Sequence, residues 1–196
     1  MAQAGAKRGL SAPGRPSGPE AASTVRCFVA LQPDEAARGR LDRLAGEQHA
    51  CFPSARRMRR ENLHLTLAFI GALPRELALQ VAARLAAEPS DAFDWALDAT
   101  GAFGGARVLW VGGSSEALQA LAERSRRLLD ELGVRYDRKP FVAHVTLLRK
   151  VPREAARLAT GPVEPPIVWH VSAPVLLQST TDGDGIRYTP LAAGNT

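Results

Sequence analysis

Two of the four histidines in this chain stand in the same short pattern. His64 lies in "NLHLTLAFIG" and His144 lies in "FVAHVTLLRK", and each begins a His-x-Thr-Leu sequence inside an apolar run. An imidazole has an ordinary pKa of about 6.5, so it can give or take a proton near neutral pH. Two positions later, Thr66 and Thr146 carry hydroxyls that can donate a hydrogen bond to an anionic oxygen. The repeated pattern therefore indicates proton transfer on a negatively charged group.

Two facing pairs of this kind would supply an acid, a base and two hydroxyl donors around one anion. That set suits in-line attack of water on a phosphodiester, in which one imidazole takes a proton from water and the other protonates the leaving oxygen. Taken singly, each histidine suits core packing equally well, and each threonine suits a strand by propensity alone. The matched context of the two motifs favours the functional interpretation, with His64 and His144 as catalytic residues and Thr66 and Thr146 as phosphate ligands.

Alternation along a strand predicts what each motif buries. In the first motif it places four large apolar side chains on a core-facing side: Leu63, Leu65, Leu67 and Phe69. His64 and Thr66 then share the opposite face, and His144 and Thr146 share the corresponding face of the second motif. Both strands are thus predicted to turn a polar pair toward a cleft.

Periodicity and turn residues predict the elements that must position these motifs. Residues 1–24 are rich in Ala, Gly, Ser and Pro, so we expect a mobile tail there, followed by a domain over 25–196. Amphipathic spacing predicts helices over 33–50, 73–88 and 114–133, and a short helical turn over 152–160. β-prone runs predict strands over 25–32, 61–71, 93–103, 106–113, 141–150, 166–180 with an interruption at Pro174, and 186–191.

Several of these strands are joined by turns too short for a parallel crossover, so we predict an α+β fold with antiparallel sheets. A chain of 196 residues can bury one sizeable core or two small lobes that share one. Each half contains one His-x-Thr strand, and the two motifs lie 80 residues apart, at 64 and 144. This spacing indicates a weak internal duplication.

Composition narrows the class of protein. Hydrophobic residues make up 45% and charged residues 23%, which is typical of a globular protein, and no apolar run reaches membrane-span length. The net charge of +5 is spread along the chain, so it permits an anionic substrate without requiring one. Cys27 and Cys51 lack CxxC spacing, which argues against a disulfide framework or a zinc finger and favours a reducing, cytoplasmic setting. We expect both to be buried small apolar groups.

The two motifs and their flanks resemble the 2H phosphoesterase superfamily. "CFVAL", "GAFGGARVLWVG" and "LLQSTTDGDGIRY" accompany the motifs in the order typical of bacterial RNA 2′,3′-cyclic phosphodiesterases, also called the 2′-5′ RNA ligase family. The resemblance runs from about residue 25 to about residue 190. One His-x-Thr is a weak signal, whereas two with these flanks in this order form a strong one.

This resemblance implies a bilobal fold, in which two related antiparallel sheets are flanked by helices around a central cleft. It implies that His64 is the proton donor, that His144 activates water, and that Thr66 and Thr146 hold the phosphate. The implied partner is RNA with a 2′,3′-cyclic phosphate terminus, which hydrolysis opens to a 2′-phosphate. Some relatives also join or cleave 2′-5′ linked RNA, reversibly and without a nucleotide cofactor.

Two positions near the second motif need separate comment. Relatives commonly have Pro before the second histidine, where this chain has Ala143; the change removes no chemical group. The family's arginine after that motif is matched by Arg149, a candidate phosphate ligand. Strict alternation puts Arg149 on the face opposite His144, so it reaches the cleft only if the strand ends or bulges first. An ordinary surface arginine is the competing interpretation.

The remaining histidines and the basic run are interpreted as structural. His49 ends a predicted helix, where a cation is favoured by the helix dipole, and His170 follows Trp169 in a late strand. The run "RRMRR" over 56–60 is predicted to be a solvated loop, with a basic lip for the RNA backbone as its functional alternative.

Other functions stay open on the sequence. The same cleft could open a cyclic phosphate on a small nucleotide, such as an ADP-ribose cyclic phosphate. The site could also belong to an RNA- or nucleotide-binding module without turnover, or could bind a metal through its histidines. No acidic cluster with metal-ligand spacing occurs in the sequence, so we predict that the reaction needs no metal and no cofactor. We expect a monomer, without contact to a membrane.

Overall fold

An antiparallel sheet is the framework of the molecule. The computed structural model describes residues 23–153, 160–183 and 185–191. Its strands are β1 (Thr24–Leu31), β2 (Arg56–Arg57), β3 (Leu65–Pro74), β4 (Phe93–Phe103), β5 (Val108–Gly112), β6 (His144–Arg149), β7 (Gly161–Val171), β8 (Val175–Asp182) and β9 (Gly185–Pro190). Its helices are α1 (Glu35–Cys51), α2 (Arg75–Ala87) and α3 (Glu116–Glu131).

Within the described residues, these strands form one sheet in the order β7-β4-β5-β6-β3-β1-β8-β9, with β2 paired to β6. The predicted α+β class with antiparallel pairing is confirmed. β3 and β6 lie at the centre and pair through Leu65 and Val145. This bridge joins two four-stranded halves, β6-β5-β4-β7 and β3-β1-β8-β9, into a continuous sheet. The separation of the two halves into lobes stays a prediction.

Helices α1 and α3 begin where short polar side chains satisfy their free N–H groups, whereas α2 begins after Pro74 without such a cap. The Asp34 carboxylate accepts a hydrogen bond from Ala37 N at 2.8 Å and opens α1. Ser115 Oγ accepts one from Leu118 N at 3.2 Å and opens α3. After α3, Gly133 has a φ of 67°, a left-handed conformation that glycine adopts without strain. Ser115 and Gly133 thus mark the two ends of this helix.

The larger hydrophobic core of the described residues lies between the sheet and the helices. Leu41 of α1, Val81 of α2 and Leu129 of α3 are each fully buried. Trp95 of β4 and Trp169 of β7 pack with their ring centroids 5.5 Å apart. No helix in the part of the chain that the structure describes is long and apolar enough to span a membrane.

Several element boundaries differ from the predictions. The segment before the first motif, predicted to be extended from residue 61, forms a 3-10 turn over Arg60–Asn62. β3 does not end at Gly71 but continues to Pro74 after a register shift, with a φ of 92° at the glycine. The late β-prone run is two strands, β7 and β8, separated around Pro174 as the interruption predicted, and β7 is an edge strand.

The ends of the chain and the cysteines bear on three further predictions. Most of the predicted tail, residues 1–22, and most of the predicted helical turn, residues 154–159, lie outside the described residues. β1 begins at Thr24, one position before the predicted start. Cys27 is buried as predicted, and burial raises its pKa to about 11. Cys51 is exposed, so its predicted burial is wrong; it lies on the last turn of α1.

Candidate active site

The central bridge brings the two His-x-Thr motifs side by side. Leu65 and Val145 pair in antiparallel register, and both side chains are fully buried. Residues directly before and after them point to the opposite face, and directly opposed residues in an antiparallel pair share a face. Continuing the register therefore sets the histidine of each motif opposite the threonine of the other. The facing pairs are His64 with Thr146 and Thr66 with His144.

Both imidazoles are held by the same backbone contact. His64 Nδ1 lies 2.7 Å from the carbonyl oxygen of Asn62, and His144 Nδ1 lies 2.7 Å from that of Val142. A carbonyl oxygen only accepts, so Nδ1 carries the hydrogen in each ring. Each neutral imidazole therefore keeps a lone pair on Nε2. The histidine at the start of each strand thus reaches back two residues to fix its own tautomer.

The first motif carries one further internal hydrogen bond. His64 Nε2 lies 3.0 Å from Thr66 Oγ1, and with Nδ1 protonated the threonine hydroxyl donates to it. Asn62, which orients this ring, is itself fixed by β9. Its side-chain amide donates to Ile186 O at 2.7 Å, and its Oδ1 accepts from Tyr188 N at 3.1 Å.

Aromatic rings flank both histidines. The His64 ring centroid lies 4.9 Å from Phe28 and 5.1 Å from Tyr188, whose ring presents its edge. The His144 centroid lies 5.0 Å from Phe103.

The second of these ring clusters needs a glycine. The Trp110 centroid lies 6.1 Å from the His144 ring, and a Cβ added at Gly101 on the neighbouring strand would lie 2.2 Å from Trp110 Cζ2. Only glycine therefore leaves room for the indole beside the histidine.

Burial separates the two histidines electrostatically. Burial lowers the pKa of His64 to about 4, opposed in part by its bond to Asn62, and the nearby Arg149 and His144 lower it further. Burial also lowers the pKa of the half-buried His144, again with a contribution from Arg149. Both imidazoles are therefore neutral at pH 7 in the free protein.

Each motif strand bulges one residue after its threonine. Between β1 and β3, Ala30 pairs with Thr66 and Val29 with Ala68, so Leu67 has no partner across the ladder. A bulge of this kind reverses the alternation of side chains that follow it. Ala68 is accordingly buried.

Because of this bulge, one prediction for the first motif is wrong. Phe69, predicted to face the core with Leu63, Leu65 and Leu67, is 52% exposed, whereas the three leucines are buried as predicted. Strict alternation failed because the bulge at Leu67 adds one residue to the strand.

The second motif bulges at the equivalent residue. Trp110 pairs with Thr146 and Leu109 with Leu148, so Leu147 is the extra residue. The bulge meets the condition on which a cleft position of Arg149 depended. Arg149 lies at the end of β6 and lines the same cavity as His144 and Thr146.

That cavity has a volume of about 420 Å³. Thr66, His144, Thr146 and Arg149 form its polar end, whereas His64 is buried and is not part of its wall. Apolar side chains form much of the remaining wall: Phe69, Phe103, Pro140, Phe141 and Val142. The cavity thus combines a polar end with an apolar extension.

The other histidines lie elsewhere. His49 is in the last turn of α1, with Nε2 3.1 Å from Ala55 O. His170 is exposed on β7, with Nδ1 2.9 Å from Asp94 Oδ1. Neither is among the residues that line the cavity beside the motifs.

The basic run at 56–60 is not a loop, so that prediction is wrong. It forms β2 against β6, buries Met58 and enters the 3-10 turn. Arg57 pairs with Asp42 and Arg60 with Glu35, both acids of α1. These ion pairs hold residues 56–60 against α1. They also neutralise two of the charges that a solvated loop would present to water.

The sequence did not predict the residues that surround and orient the two histidines. Phe28, Phe103, Trp110 and Tyr188 all occur inside the flanking sequences quoted above, but strand pairing alone brings them to the histidines. Asn62 stands two residues before His64, and only its hydrogen bonds distinguish it from any other polar residue.

The chain matches one protein-family model, that of the 2′-5′ RNA ligase superfamily, over residues 33–183. The chain belongs to this superfamily. An RNA 2′,3′-cyclic phosphodiesterase of Escherichia coli K12 is 34% identical over 137 residues, which are 67% of this chain and 74% of the relative. One of Geobacillus stearothermophilus is 33% identical over 136 residues; the match spans 65% of this chain but only 43% of that relative.

Several solved structures share the fold of this chain. The crystal structure of E. coli LigT complexed with 3′-AMP superposes with a TM-score of 0.75 at 26% identity, covering 86% of this chain and 96% of LigT. The protein TT0787 of Thermus thermophilus superposes with a TM-score of 0.69 at 29% identity, covering 85% and 94%. The α+β architecture of this superfamily member is therefore that of LigT. Within the described residues, no group of three or more His, Cys, Asp or Glu side chains could hold a metal ion.

Proposed function

We propose that this superfamily member hydrolyses the 2′,3′-cyclic phosphate at RNA 3′ ends to a 2′-phosphate, by metal-independent acid–base catalysis with His64 and His144. The observation that carries the proposal is the Leu65–Val145 bridge, which sets two carbonyl-anchored imidazoles and two threonines on one face. The relatives named RNA 2′,3′-cyclic phosphodiesterase support the substrate.

His144 is the general base in this proposal. Its Nδ1 is saturated by Val142 O, its Nε2 holds a lone pair, and the ring lines the cavity that water enters. Its lowered pKa keeps it neutral at pH 7, as a base must be before it acts. Nε2 takes a proton from water as the water oxygen attacks phosphorus opposite the 3′ oxygen.

His64 is the general acid and protonates the departing 3′ oxygen. With a pKa of about 4 it is neutral in the free protein, so the proton must be acquired together with the anionic substrate, whose charge stabilises an imidazolium. When the phosphate binds, the Thr66 hydroxyl, which donates to Nε2 over 3.0 Å in the free protein, turns to a non-bridging oxygen. Protonated Nε2 is then free to donate to the 3′ oxygen. At the end of the step the P–O3′ bond is broken, His64 is neutral and His144 is protonated; exchange with solvent restores both.

Three side chains bind the non-bridging oxygens. Thr66 and Thr146 donate through their hydroxyls, and Arg149 adds a guanidinium at the polar end of the cavity. Because Arg149 also lowers the pKa of His144, it favours the neutral form of the base.

The test is end-group analysis of the product from an oligonucleotide with a 2′,3′-cyclic phosphate. We expect a 2′-phosphate with the wild-type protein, unchanged turnover in EDTA, and no product with His64→Ala or His144→Ala although both variants fold. Turnover in either variant would refute the assigned roles. Loss of activity in EDTA would favour the histidine metal site, and binding without turnover in the wild type would favour a silent RNA-binding module.

A second candidate is hydrolysis of cyclic phosphates on small nucleotides. The cavity of about 420 Å³ favours it, since this volume suits a single drug-sized ligand and does not require a polymer. A panel that compares a cyclic-phosphate oligonucleotide with a mononucleotide and an ADP-ribose cyclic phosphate decides between the two, through kcat/KM.

The same residues would support ligation. A 5′-hydroxyl of RNA in the place of water would attack the same phosphorus and yield a 2′-5′ linkage, with the proton transfers unchanged. The appearance of 2′-5′ linked product when a 5′-hydroxyl oligonucleotide is added tests this step. A monomer and a cytoplasmic location remain predictions of the proposal.

A further inference from the structure

A second cavity lies next to the cavity that contains the polar ends of the two motifs. It has a volume of about 600 Å³. Phe141 and Val142 line both cavities, so the two are neighbours that meet at the segment leading into His144. The described residues that line the second cavity include none from the first motif. This cavity therefore belongs to the side of the site that carries His144.

Two small residues continue the row of His144 across the sheet and line the second cavity. His144 pairs with Gly112 of β5, and Gly112 pairs with Ala99 of β4. Residues directly opposed in antiparallel strands share a face, and their Cα atoms are about 4.5–5.5 Å apart. Neither neighbour in this row carries a large side chain. The space of the second cavity therefore begins within one strand of the imidazole.

Trp110 bounds this space on the side of the threonine. In the next row of the sheet, Thr146 pairs with Trp110 and Trp110 pairs with Gly101, so the indole shares a face with Thr146. The indole lines the second cavity, and its ring centroid lies 6.1 Å from that of His144. The second cavity thus opens beside the ring of the proposed base and has an apolar wall there.

The charges that line the two cavities are opposite in sign. Asp98 and Glu116 line the second cavity, and no lysine or arginine is among the described residues that line it. Glu116 stands in the first turn of α3, where it also offsets the positive end of the helix dipole. The first cavity, by contrast, is lined by Arg126, Lys139 and Arg149. Carboxylates accept hydrogen bonds from hydroxyls and repel phosphate, so the second cavity favours an uncharged group rich in hydroxyls.

We propose that the second cavity binds the nucleoside that carries the attacking 5′-hydroxyl in ligation, and that it selects a 5′-hydroxyl over a 5′-phosphate. This inference rests on the proposed function and deepens its ligation step. In-line displacement requires the attacking oxygen to enter opposite the departing 3′ oxygen, on the side of the base His144 and away from the acid His64. The second cavity flanks His144, and its acidic lining accepts hydrogen bonds from ribose hydroxyls.

The step uses the groups already assigned. The 5′ oxygen forms a bond to phosphorus while His144 Nε2 takes the hydroxyl proton. The P–O3′ bond breaks, and protonated His64 gives its proton to the 3′ oxygen. The product is a 2′-5′ phosphodiester with a free 3′-hydroxyl. When the second cavity is empty, water attacks in the same place and a 2′-phosphate forms, so occupancy of this cavity sets the ratio of ligation to hydrolysis.

Calorimetric titration of adenosine into the full-length protein saturated with 3′-AMP tests the site without requiring turnover, because 3′-AMP fills the first cavity. We expect Ala99→Leu, which extends a side chain into the second cavity, to weaken adenosine binding at least about 10-fold and to leave 3′-AMP binding unchanged. Ala96→Leu is the matched control, because Ala96 is exposed on the same strand and is not among the residues that line the cavity. It should change neither affinity.

The predicted selection against a 5′-phosphate is measured in the same way. 5′-AMP should bind to the 3′-AMP-saturated protein at least about 10-fold more weakly than adenosine, and Asp98→Asn should lessen this difference because it removes one negative charge. In a reaction with a cyclic-phosphate and a 5′-hydroxyl oligonucleotide, Ala99→Leu should lower the ratio of 2′-5′ linked product to 2′-phosphate about 10-fold. Its kcat/KM for hydrolysis should equal that of the wild type.

Three results would overturn the inference: equal adenosine affinity in the wild type and Ala99→Leu, 5′-AMP binding as tight as that of adenosine, or equal losses of ligation and hydrolysis in Ala99→Leu. Thermal unfolding of each variant checks that the fold survives. A wild-type protein that binds adenosine in this cavity but opens no cyclic phosphate would refute the proposed function and leave the binding site standing. Hydrolysis by a wild-type protein that binds no adenosine would refute the site alone.

Discussion

The two His-x-Thr strands share a backbone design and differ in their surroundings. Each has a histidine bound to the carbonyl two residues earlier, a threonine two residues later, and a bulge at the following leucine. At the next exposed position the first strand has Phe69 and the second has Arg149. His64 is buried and His144 is half-buried. A repeated backbone thus carries two different chemical environments.

In the proposed mechanism, this difference in burial allows the same motif to serve once as proton donor and once as proton acceptor. Equal imidazoles in equal settings would titrate together, and neither would be committed to giving or taking a proton. Burial lowers the pKa of His64 to about 4, while His144 keeps contact with the cavity. The environment therefore makes the two imidazoles different. In the proposed mechanism the buried one must gain its proton together with the anionic substrate, and the one that lines the cavity begins as a neutral base.

The largest expected effect on activity comes from replacing either histidine of the two motifs. We expect His64→Ala and His144→Ala each to lower kcat on a cyclic-phosphate oligonucleotide about 10²- to 10⁴-fold, because each removes one proton-transfer group. Steady-state kinetics measure the loss. His170→Ala, which changes an exposed histidine on β7, is the matched control and should retain wild-type kcat. A variant of either motif that keeps wild-type activity would contradict the pairing.

The stability of the folded protein at acidic pH should report the lowered pKa of His64. The pKa of His64 falls from 6.5 in the unfolded chain to about 4 in the folded protein, so between these values only the unfolded chain takes up the proton. Neutral His64 therefore contributes fully to the free energy of unfolding above pH 6.5, and this contribution is lost as the pH falls to about 4. It amounts to about 3 kcal/mol of unfolding free energy.

Urea unfolding at pH 7 and pH 4 measures this contribution. The loss in the wild type should exceed that in His64→Gln by the stated amount, while His170→Gln should behave as the wild type. Equal losses in the wild type and His64→Gln would show that His64 titrates normally.

The two motif strands differ at the position of Arg149, where the first strand has Phe69. Arg149→Met should raise KM about 10- to 100-fold through the loss of a charge-assisted bond to phosphate. It should also raise the pKa of both histidines, since the guanidinium lowers both, and so move the acidic limb of the pH–rate profile upward. Lys150→Met, which removes the neighbouring cation, should leave KM and the profile unchanged. An unshifted profile in Arg149→Met would separate Arg149 from the histidines.

The smallest expected effect separates the threonines. Thr146→Val, which removes a hydroxyl at constant shape, should lower kcat/KM about 10-fold, and Thr66→Val should cost more because it also leaves His64 Nε2 unpaired. Serine at either position should restore most of the activity. Greater loss at Thr146 than at Thr66 would show that the hydrogen bond between Thr66 and His64 does not contribute to catalysis.

Local sequence signals predicted the elements well. The spacing of leucines in α3, its Ser115 cap and its Gly133 stop are local features, so the helix could be read without its neighbours. The predicted strands at the motifs were right in type and wrong at their ends. The prediction for Phe69 failed because a bulge depends on pairing with the next strand, which no alternation rule contains.

The sequence by itself determined which chemistry this protein carries: two imidazoles, two hydroxyls and the β-prone runs that display them. Such information is local, because residue type and spacing set both reactivity and the face of a strand. Only the tertiary structure decided that Leu65 pairs with Val145, that both strands bulge, and that one histidine is more buried than the other. Those outcomes depend on contacts between residues 80 positions apart, whose register is set by the packing of the whole sheet.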